Sequence, residues 1–187
     1  MCSVQFSEIV EYDKALPLFE QALQIRKQVL GLQHPHYAQS LNNLAELYRA
    51  QGEYDKALPL YEQALQIDKQ VYGDKHPDVA TDLNNLAALY YSQGEYDKAL
   101  PLFEQASKIW EQVLGEQHPL YAQSLNNLAG LYYSQGEVGK ALPLFEQAVE
   151  IAVKVLGEKH PYTQHYKRNY EQAVKTLVKA LWGEERG

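Results

Sequence analysis

Apolar side chains recur along the chain in stripes that have the spacing of an α-helix. Within residues 36–51 the apolar positions lie three or four residues apart. That stripe consists of Ala38, Leu41, Leu44, Ala45 and Tyr48. After Gln51-Gly52 a second stripe runs to about residue 71, and it consists of Tyr54, Ala57, Leu58, Tyr61, Ala64, Leu65 and Ile67. The pattern predicts two half-buried helices joined by a glycine turn.

The same pair of stripes returns every 42 residues. The dipeptide His34-Pro35 recurs at 76–77, 118–119 and 160–161, and Gly52-Glu53 recurs at 94–95 and 136–137. Proline at the first position of a helix costs no hydrogen bond, so each His-Pro pair indicates that a helix begins there. The sequence therefore predicts three complete hairpins, with one helix before them and one after. These are the helix at 12–29, repeats 1, 2 and 3 at 36–71, 78–113 and 120–155, and the helix at 162–182.

One such hairpin cannot bury both of its stripes, so the hairpins must stack on one another. The predicted fold is all-α, a right-handed superhelical solenoid of antiparallel helix hairpins. We expect an N-terminal segment at 1–11, the repeat array at 12–161 and a C-terminal capping helix at 162–187. The apolar residues of the first segment would form a makeshift cap, and they are Val4, Phe6, Ile9 and Val10.

Four prolines lie about five residues into the second helix of each hairpin or of the lone first helix: Pro17, Pro59, Pro101 and Pro143. A proline there removes a backbone hydrogen bond and is expected to bend the helix. The alternative is that the second helix starts later, near the proline.

Composition and charge narrow the classes of function. The chain has 187 residues, 45% of them hydrophobic, which is enough for a substantial core. Its net charge of −7 and its lack of a Lys/Arg run argue against nucleic acid as a partner. Apolar runs are short, so no membrane span is expected. The single cysteine, Cys2, and the lack of a secretion pattern favour a cytoplasmic location.

Residues with catalytic or metal-binding potential are few. The His-Pro histidines stand one repeat apart, so they are expected to cap or pack at helix starts rather than to converge on a metal. No glycine-rich phosphate loop or G-x-S-x-G motif is present, and neither an enzyme nor a cofactor is predicted. Trp110 replaces Arg26, Asp68 and Ala152 of the other units, so it is expected to face solvent, either as a partner contact or merely as an exposed ring.

The repeat resembles the tetratricopeptide repeat (TPR). In repeat 1 the matching residues are Leu41, Leu44, Ala45, Tyr48, Ala57, Tyr61 and Ala64, and the same pattern returns in repeats 2 and 3. The 42-residue period, the NNLA segment and the LPL triplet are similar to the kinesin light chain subclass. The resemblance implies a protein- or peptide-binding adaptor in which the first helices of the hairpins line the inner, concave wall.

Asparagine occupies the same inner-wall position in each of the four helices that follow a His-Pro pair. With Leu41 at the centre of the buried stripe, Asn43 falls on the opposite side of its helix. The corresponding residues, here called the Asn row, are Asn43, Asn85, Asn127 and Asn169. Amides offer both donors and acceptors and could hold an extended peptide backbone. The alternative is that duplication simply copied them. The preceding asparagines are expected to bond to the adjacent helix, and they are Asn42, Asn84 and Asn126.

A second inner-wall position varies between units and could select the ligand: Arg49, Tyr91, Tyr133 and Lys175. Aromatic rings between basic ends would suit a ligand with apolar and acidic groups. The alternative is that the tyrosines pack between successive first helices. Nearby, Glu46 is replaced by Ala88 and Gly130, which predicts an open floor. The predicted function is a non-catalytic scaffold that binds an extended peptide, and the alternative is a repeat module that self-associates through exposed terminal repeats.

Overall fold

The computed structural model describes the backbone of residues 2–183 and the side chains of residues 14–182. The described residues form eight α-helices and no strand. The helices are α1 (Cys2–Leu30), α2 (Pro35–Ala50), α3 (Tyr54–Tyr72), α4 (Pro77–Ser92), α5 (Tyr96–Leu114), α6 (Pro119–Ser134), α7 (Val138–Leu156) and α8 (Pro161–Gly183). We call α2, α4, α6 and α8 the A helices, and α1, α3, α5 and α7 the B helices. The predicted all-α array of hairpins is confirmed.

Each A helix begins at a His-Pro pair, as the sequence predicts. The imidazole Nδ1 of His34 accepts a hydrogen bond from the backbone N–H of His36 at 3.1 Å. The other three histidines of this type accept in the same way at 3.2 Å, and they are His76, His118 and His160. One backbone donor at each helix start is thereby satisfied. The capping role predicted for these histidines is confirmed.

A glycine with positive φ lies in each hairpin turn, and another follows the last residue of each B helix. Gly52 (φ 77°) follows α2, and Gly73 (φ 81°) ends α3, where its N–H bonds to the carbonyl of Lys69. Helix α3 begins at Tyr54, five residues before Pro59, so the proline lies inside the helix and the later start is wrong. The bend at the proline stays a prediction.

The chain divides into two compact units, residues 1–95 and residues 96–187. In the first unit, α1 packs on α2, α2 on α3 and α3 on α4, and the A helices α2 and α4 also touch each other. Its core contains Leu41, Leu44 and Ile67 at the contact of α2 with α3, with Leu23 of α1. Alanines such as Ala38 and Ala64 are fully buried and let the helices approach closely.

The second unit repeats this arrangement with α5 to α8. Helix α5 packs on α6, α6 on α7 and α7 on α8, and the A helices α6 and α8 touch. Phe145 of α7 is buried among Ala129 of α6, Ala141 of α7 and Ala173 of α8. A large ring between three alanines fills the space that close helix packing leaves.

One expectation changes at the first helix, and another lies outside the described residues. Helix α1 begins at Cys2, so the helix predicted over 12–29 extends further toward the N-terminus. The side chains of the predicted cap, Val4 to Val10, lie outside the described residues. Leu16 and Phe19 are half-buried against the core of the first unit.

The prediction that Trp110 faces solvent is wrong. Its side chain is 1% exposed in the second unit. The equivalent residues Asp68 and Ala152 are also buried, so this position of the B helix faces the next A helix. The polar residue Arg26 occupies the equivalent position in α1 and suggested that the position faces solvent. In the structure its guanidinium donates to the carbonyl of His36 on α2 at 2.8 Å. None of the described helices is long and apolar enough to cross a bilayer.

Candidate functional site

Neighbouring A helices of the first unit run parallel and are joined by two hydrogen bonds. Near the helix starts, Asn42 Nδ2 donates to Asp82 Oδ1 at 2.5 Å. Near the helix ends, Arg49 donates to Ser92 Oγ at 3.0 Å. The bond from Asn42 to α4 confirms the expected role of this asparagine as a contact to the adjacent helix.

Asn43 and Asn85 lie between these two bonds along α2 and α4. Asn43 is exposed and Asn85 is half-buried. Asn42, by contrast, has its amide N–H on Asp82. Neither Asn43 nor Asn85 has a side-chain hydrogen bond to any residue that the structure describes. Their amide donors and acceptors are therefore available to a ligand that lies along these two helices.

Arg49 belongs to a polar cluster that joins three helices of the first unit. Its guanidinium binds both carboxylate oxygens of Glu46, at 2.5 and 2.9 Å. The hydroxyl of Tyr61 on α3, a fully buried residue, donates to the same carboxylate at 2.8 Å. Burial would raise the pKa of Glu46, but the hydrogen bonds from Arg49 and Tyr61 hold it below its usual value. Glu46 thus stays ionised and neutralises the charge of Arg49, so Arg49 attracts an acidic ligand less strongly than a free arginine would.

In the second unit the corresponding positions also contact the neighbouring A helix. Asn169 Nδ2 of α8 donates to Asn126 Oδ1 of α6 at 2.9 Å, which confirms the expected role of Asn126. The hydroxyls of Tyr133 and Thr176 are 2.8 Å apart across the same pair of helices. Tyr133 is half-buried, while Lys175 is exposed. Asn127 is half-buried on α6.

The structure explains why a glutamate occurs at position 46 and a smaller residue at the equivalent positions 88 and 130. Tyr61, which needs a partner for its buried hydroxyl, is replaced by Phe103 in repeat 2 and Phe145 in repeat 3. Loss of the hydroxyl removes the need for the carboxylate at the Glu46 position. At Gly130 a Cβ atom would meet nothing within 4 Å, so space is left beside this turn.

Sequence reasoning missed a cleft of about 200 Å³ between α2, the end of α3 and the start of α4. Two aspartates in it, Asp68 and Asp82, are 5% and 1% exposed. Burial raises the pKa of Asp82 to about 7, although the hydrogen bond from Asn42 opposes it. Burial and the charge of Asp78 raise the pKa of Asp68 to about 6. The sequence does contain a clue to this cleft. Asp68 and Asp82 are both acidic, whereas none of the residues at the equivalent positions of the other repeats is acidic.

The helix pairing and the aligned polar side chains place the chain among the helical-repeat proteins. The chain is an array of repeated helix hairpins whose A helices carry aligned polar side chains. A family model of the tetratricopeptide repeat matches residues 11–70, 40–112, 78–152 and 120–169. The chain belongs to the tetratricopeptide repeat family, and its 42-residue repeat is kinesin light chain-like. Proteins of this family are protein–protein interaction scaffolds and are generally non-catalytic.

Solved structures support the assignment. BtubC (BKLC) from P. vanneervenii is 30% identical, with 92% of this chain and 68% of that chain covered and a TM-score of 0.77. Nearly identical TPR-like repeats from a Podosopora anserina protein assigned to the kinesin light chains are 28% identical, with coverages of 97% and 86% and a TM-score of 0.73.

A third similarity concerns the fold alone. The Sgt2 TPR domain from Aspergillus fumigatus is 23% identical, with coverages of 80% and 82% and a TM-score of 0.57. No curated protein sequence matches the chain.

Proposed function

We propose that this chain is a non-catalytic scaffold that binds an extended peptide segment of a partner protein along its A helices. The observation that carries this proposal is the pair Asn43 and Asn85, whose amides make no hydrogen bond to the described chain and lie on touching, parallel helices. Packed helices lie about 8–10 Å apart. An extended chain advances about 3.3 Å per residue, so amides on adjacent A helices would meet backbone groups about three residues apart.

The second unit offers a comparable surface of its own. Asn169 gives one N–H to Asn126, which leaves its carbonyl oxygen for a ligand N–H. We propose that Asn127 and Asn169 hold backbone in this unit, and that Tyr133 and Lys175 contact ligand side chains there. Arg49 and Tyr91 would have that role in the first unit. We also propose a cytoplasmic location, for which the presence of a single cysteine is the support.

The test begins with selection of binders from a random-peptide library on the wild-type chain, followed by calorimetry on the selected peptide. The double substitution Asn43→Ala with Asn85→Ala should weaken binding about 30-fold, because two net hydrogen bonds of about 1 kcal/mol each are lost. Gln63→Ala is the matched control, since it removes an amide from an exposed position on α3. A library without binders, or an affinity of the double variant within twofold of wild type, would contradict the proposal.

Self-association is the second candidate, and exposed apolar residues favour it. Leu18 and Val29 on α1 are 66% and 74% exposed, and Leu181 and Trp182 on α8 are 64% and 65% exposed. A helix pair that lacks a neighbour leaves such residues unburied. Sedimentation velocity across a hundredfold range of concentration tests this candidate. A monomer at every concentration would rule it out, whereas dimers that the change Val29→Glu disrupts would support it.

A further inference from the structure

The acidic cleft of the first unit is unlike the corresponding places at the other junctions of a B helix with the next A helix. The sequence positions of Asp68 and Asp82 have equivalents at every such junction, 42 residues apart. The residue pairs are Arg26 and Ser40, Asp68 and Asp82, Trp110 and Ser124, and Ala152 and Tyr166. Trp110 and Tyr166 are large and buried, so each fills its junction. Only the α3–α4 junction combines two short acidic side chains, and there a cleft of about 200 Å³ remains open.

Two buried carboxyl groups in contact require a positive partner when both are ionised. The carboxyl groups of Asp68 and Asp82 interact electrostatically, line the same cleft and are almost fully buried. Three buried oxygens at this site have no partner among the described residues: Asn42 Oδ1, Asp68 Oδ1 and Asp82 Oδ2. At low pH the two carboxyl groups can share one proton, which provides a hydrogen bond between them. At higher pH both carboxylates are charged, and a cation in the cleft would offset the free-energy cost of burying the two charges.

We propose that this cleft is a recognition pocket for a basic side chain, the ammonium of lysine or the guanidinium of arginine, of a partner protein. These oxygens are almost inaccessible to solvent, so the side chains of Asn42, Asp68 and Asp82 would have to rotate toward the cleft to accept its N–H groups. Pro35 and the ring of Tyr72 line the same cleft and would pack against the methylene stem. A metal ion fits less well, because no group of three His, Cys, Asp or Glu residues suited to a metal occurs among the described residues.

The position of the cleft connects it with the proposed peptide surface. Gln39 and Thr81 line the cleft, and each stands four residues before a member of the Asn row, on the same side of its helix. A segment held by Asn43 and Asn85 could therefore place one side chain over the cleft. This extension rests on the proposed function, whereas the pocket itself can be tested without it.

Other charged or titratable groups surround the cleft. They are Arg26 from α1, His36 from α2, Tyr72 from α3, His76 from the loop, and Asp78 from α4. Arg26 bonds to the carbonyl of His36 and to Gln39 at the rim, so its charge is engaged outside the carboxyl pair. Because the carboxyls must be ionised to bind a cation, binding should be at least about tenfold weaker at pH 5 than at pH 8.

The experiment uses acetylated and amidated tripeptides Gly-Arg-Gly and Gly-Lys-Gly as probes, with Gly-citrulline-Gly as the uncharged isostere of the arginine peptide. Titrations followed by NMR at pH 8 and low salt should shift the side-chain amide of Asn42 with either basic peptide. The citrulline peptide should bind at least about tenfold more weakly, since charge-assisted hydrogen bonds are lost. Equal binding of the arginine and citrulline peptides would overturn the proposal.

Variants separate this pocket from the rest of the surface. Asp82→Asn should weaken the basic tripeptides about tenfold or more, whereas Asp55→Asn, which removes an exposed acid of α3, should leave them unchanged. The variant Asn43→Ala with Asn85→Ala should also leave them unchanged, so failure of the peptide surface would not be mistaken for failure of the pocket. Binding of Ca²⁺ or Mg²⁺ with no binding of the tripeptides would make this a metal site and overturn the proposal.

Discussion

The hydrogen bond from Tyr61 to Glu46 can be tested with a double-mutant cycle whose end point already exists in the chain. Repeats 2 and 3 carry Phe with Ala or Gly at these two positions. Tyr61→Phe should cost about 1 kcal/mol, because it removes one net hydrogen bond and leaves a half-exposed carboxylate that water can solvate. Glu46→Ala should cost about 2 kcal/mol, because it leaves the hydroxyl of a fully buried tyrosine without its acceptor.

The double variant should be no less stable than Glu46→Ala alone, since both groups of the pair are then absent. The expected coupling free energy is about 1–2 kcal/mol. Urea denaturation followed by far-UV circular dichroism measures it, with variants compared only where the m-values agree. The matched control is Glu46→Ala with Tyr48→Phe, because the Tyr48 hydroxyl faces Glu20 at 3.4 Å and not Glu46. A coupling below about 0.3 kcal/mol for Tyr61, or an equal one for Tyr48, would refute the reasoning.

Three further predictions concern stability. Trp110→Ala should destabilise the chain by about 3–5 kcal/mol in thermal or urea unfolding, because it empties a filled junction, while the same change at the 65% exposed Trp182 should cost less than about 0.5 kcal/mol. Gly130→Ala should raise the free energy of unfolding by about 1 kcal/mol, because the new methyl group meets nothing within 4 Å, and a loss of stability would show that this turn is tighter than described. The pKa of an aspartate in the unfolded chain is 3.8, whereas folding raises the pKa of Asp68 to about 6 and that of Asp82 to about 7. The folded chain therefore binds these protons more tightly than the unfolded chain, so the free energy of unfolding should fall as the pH rises from 3.8 through 7. Urea unfolding of Asp82→Asn at pH 5 and pH 8 should show a smaller fall than wild type, and an equal fall would contradict this assignment.

The two asparagines of each repeat show how far a sequence pattern can predict a binding surface. Helical spacing placed Asn42 and Asn43 on different sides of α2, and the structure bears out the contact of Asn42 with the neighbouring helix. The same reasoning could not foresee that Asn169 gives an N–H to Asn126, because that bond depends on how closely α6 and α8 approach. Binding of a peptide by the Asn row stays a prediction.

The sequence by itself determined the repeat, the helices and their ends. These features are local: a helical stripe, a proline at a helix start and a glycine at a turn each act within a few residues, and the 42-residue period repeats them. Only the tertiary structure decided which polar side chains meet. Asp68 pairs with Asp82, Tyr61 reaches Glu46 and Trp110 is buried because stacking of one helix on the next sets those contacts. A shift of one turn in that stacking would change every such partner while leaving the periodic pattern the same.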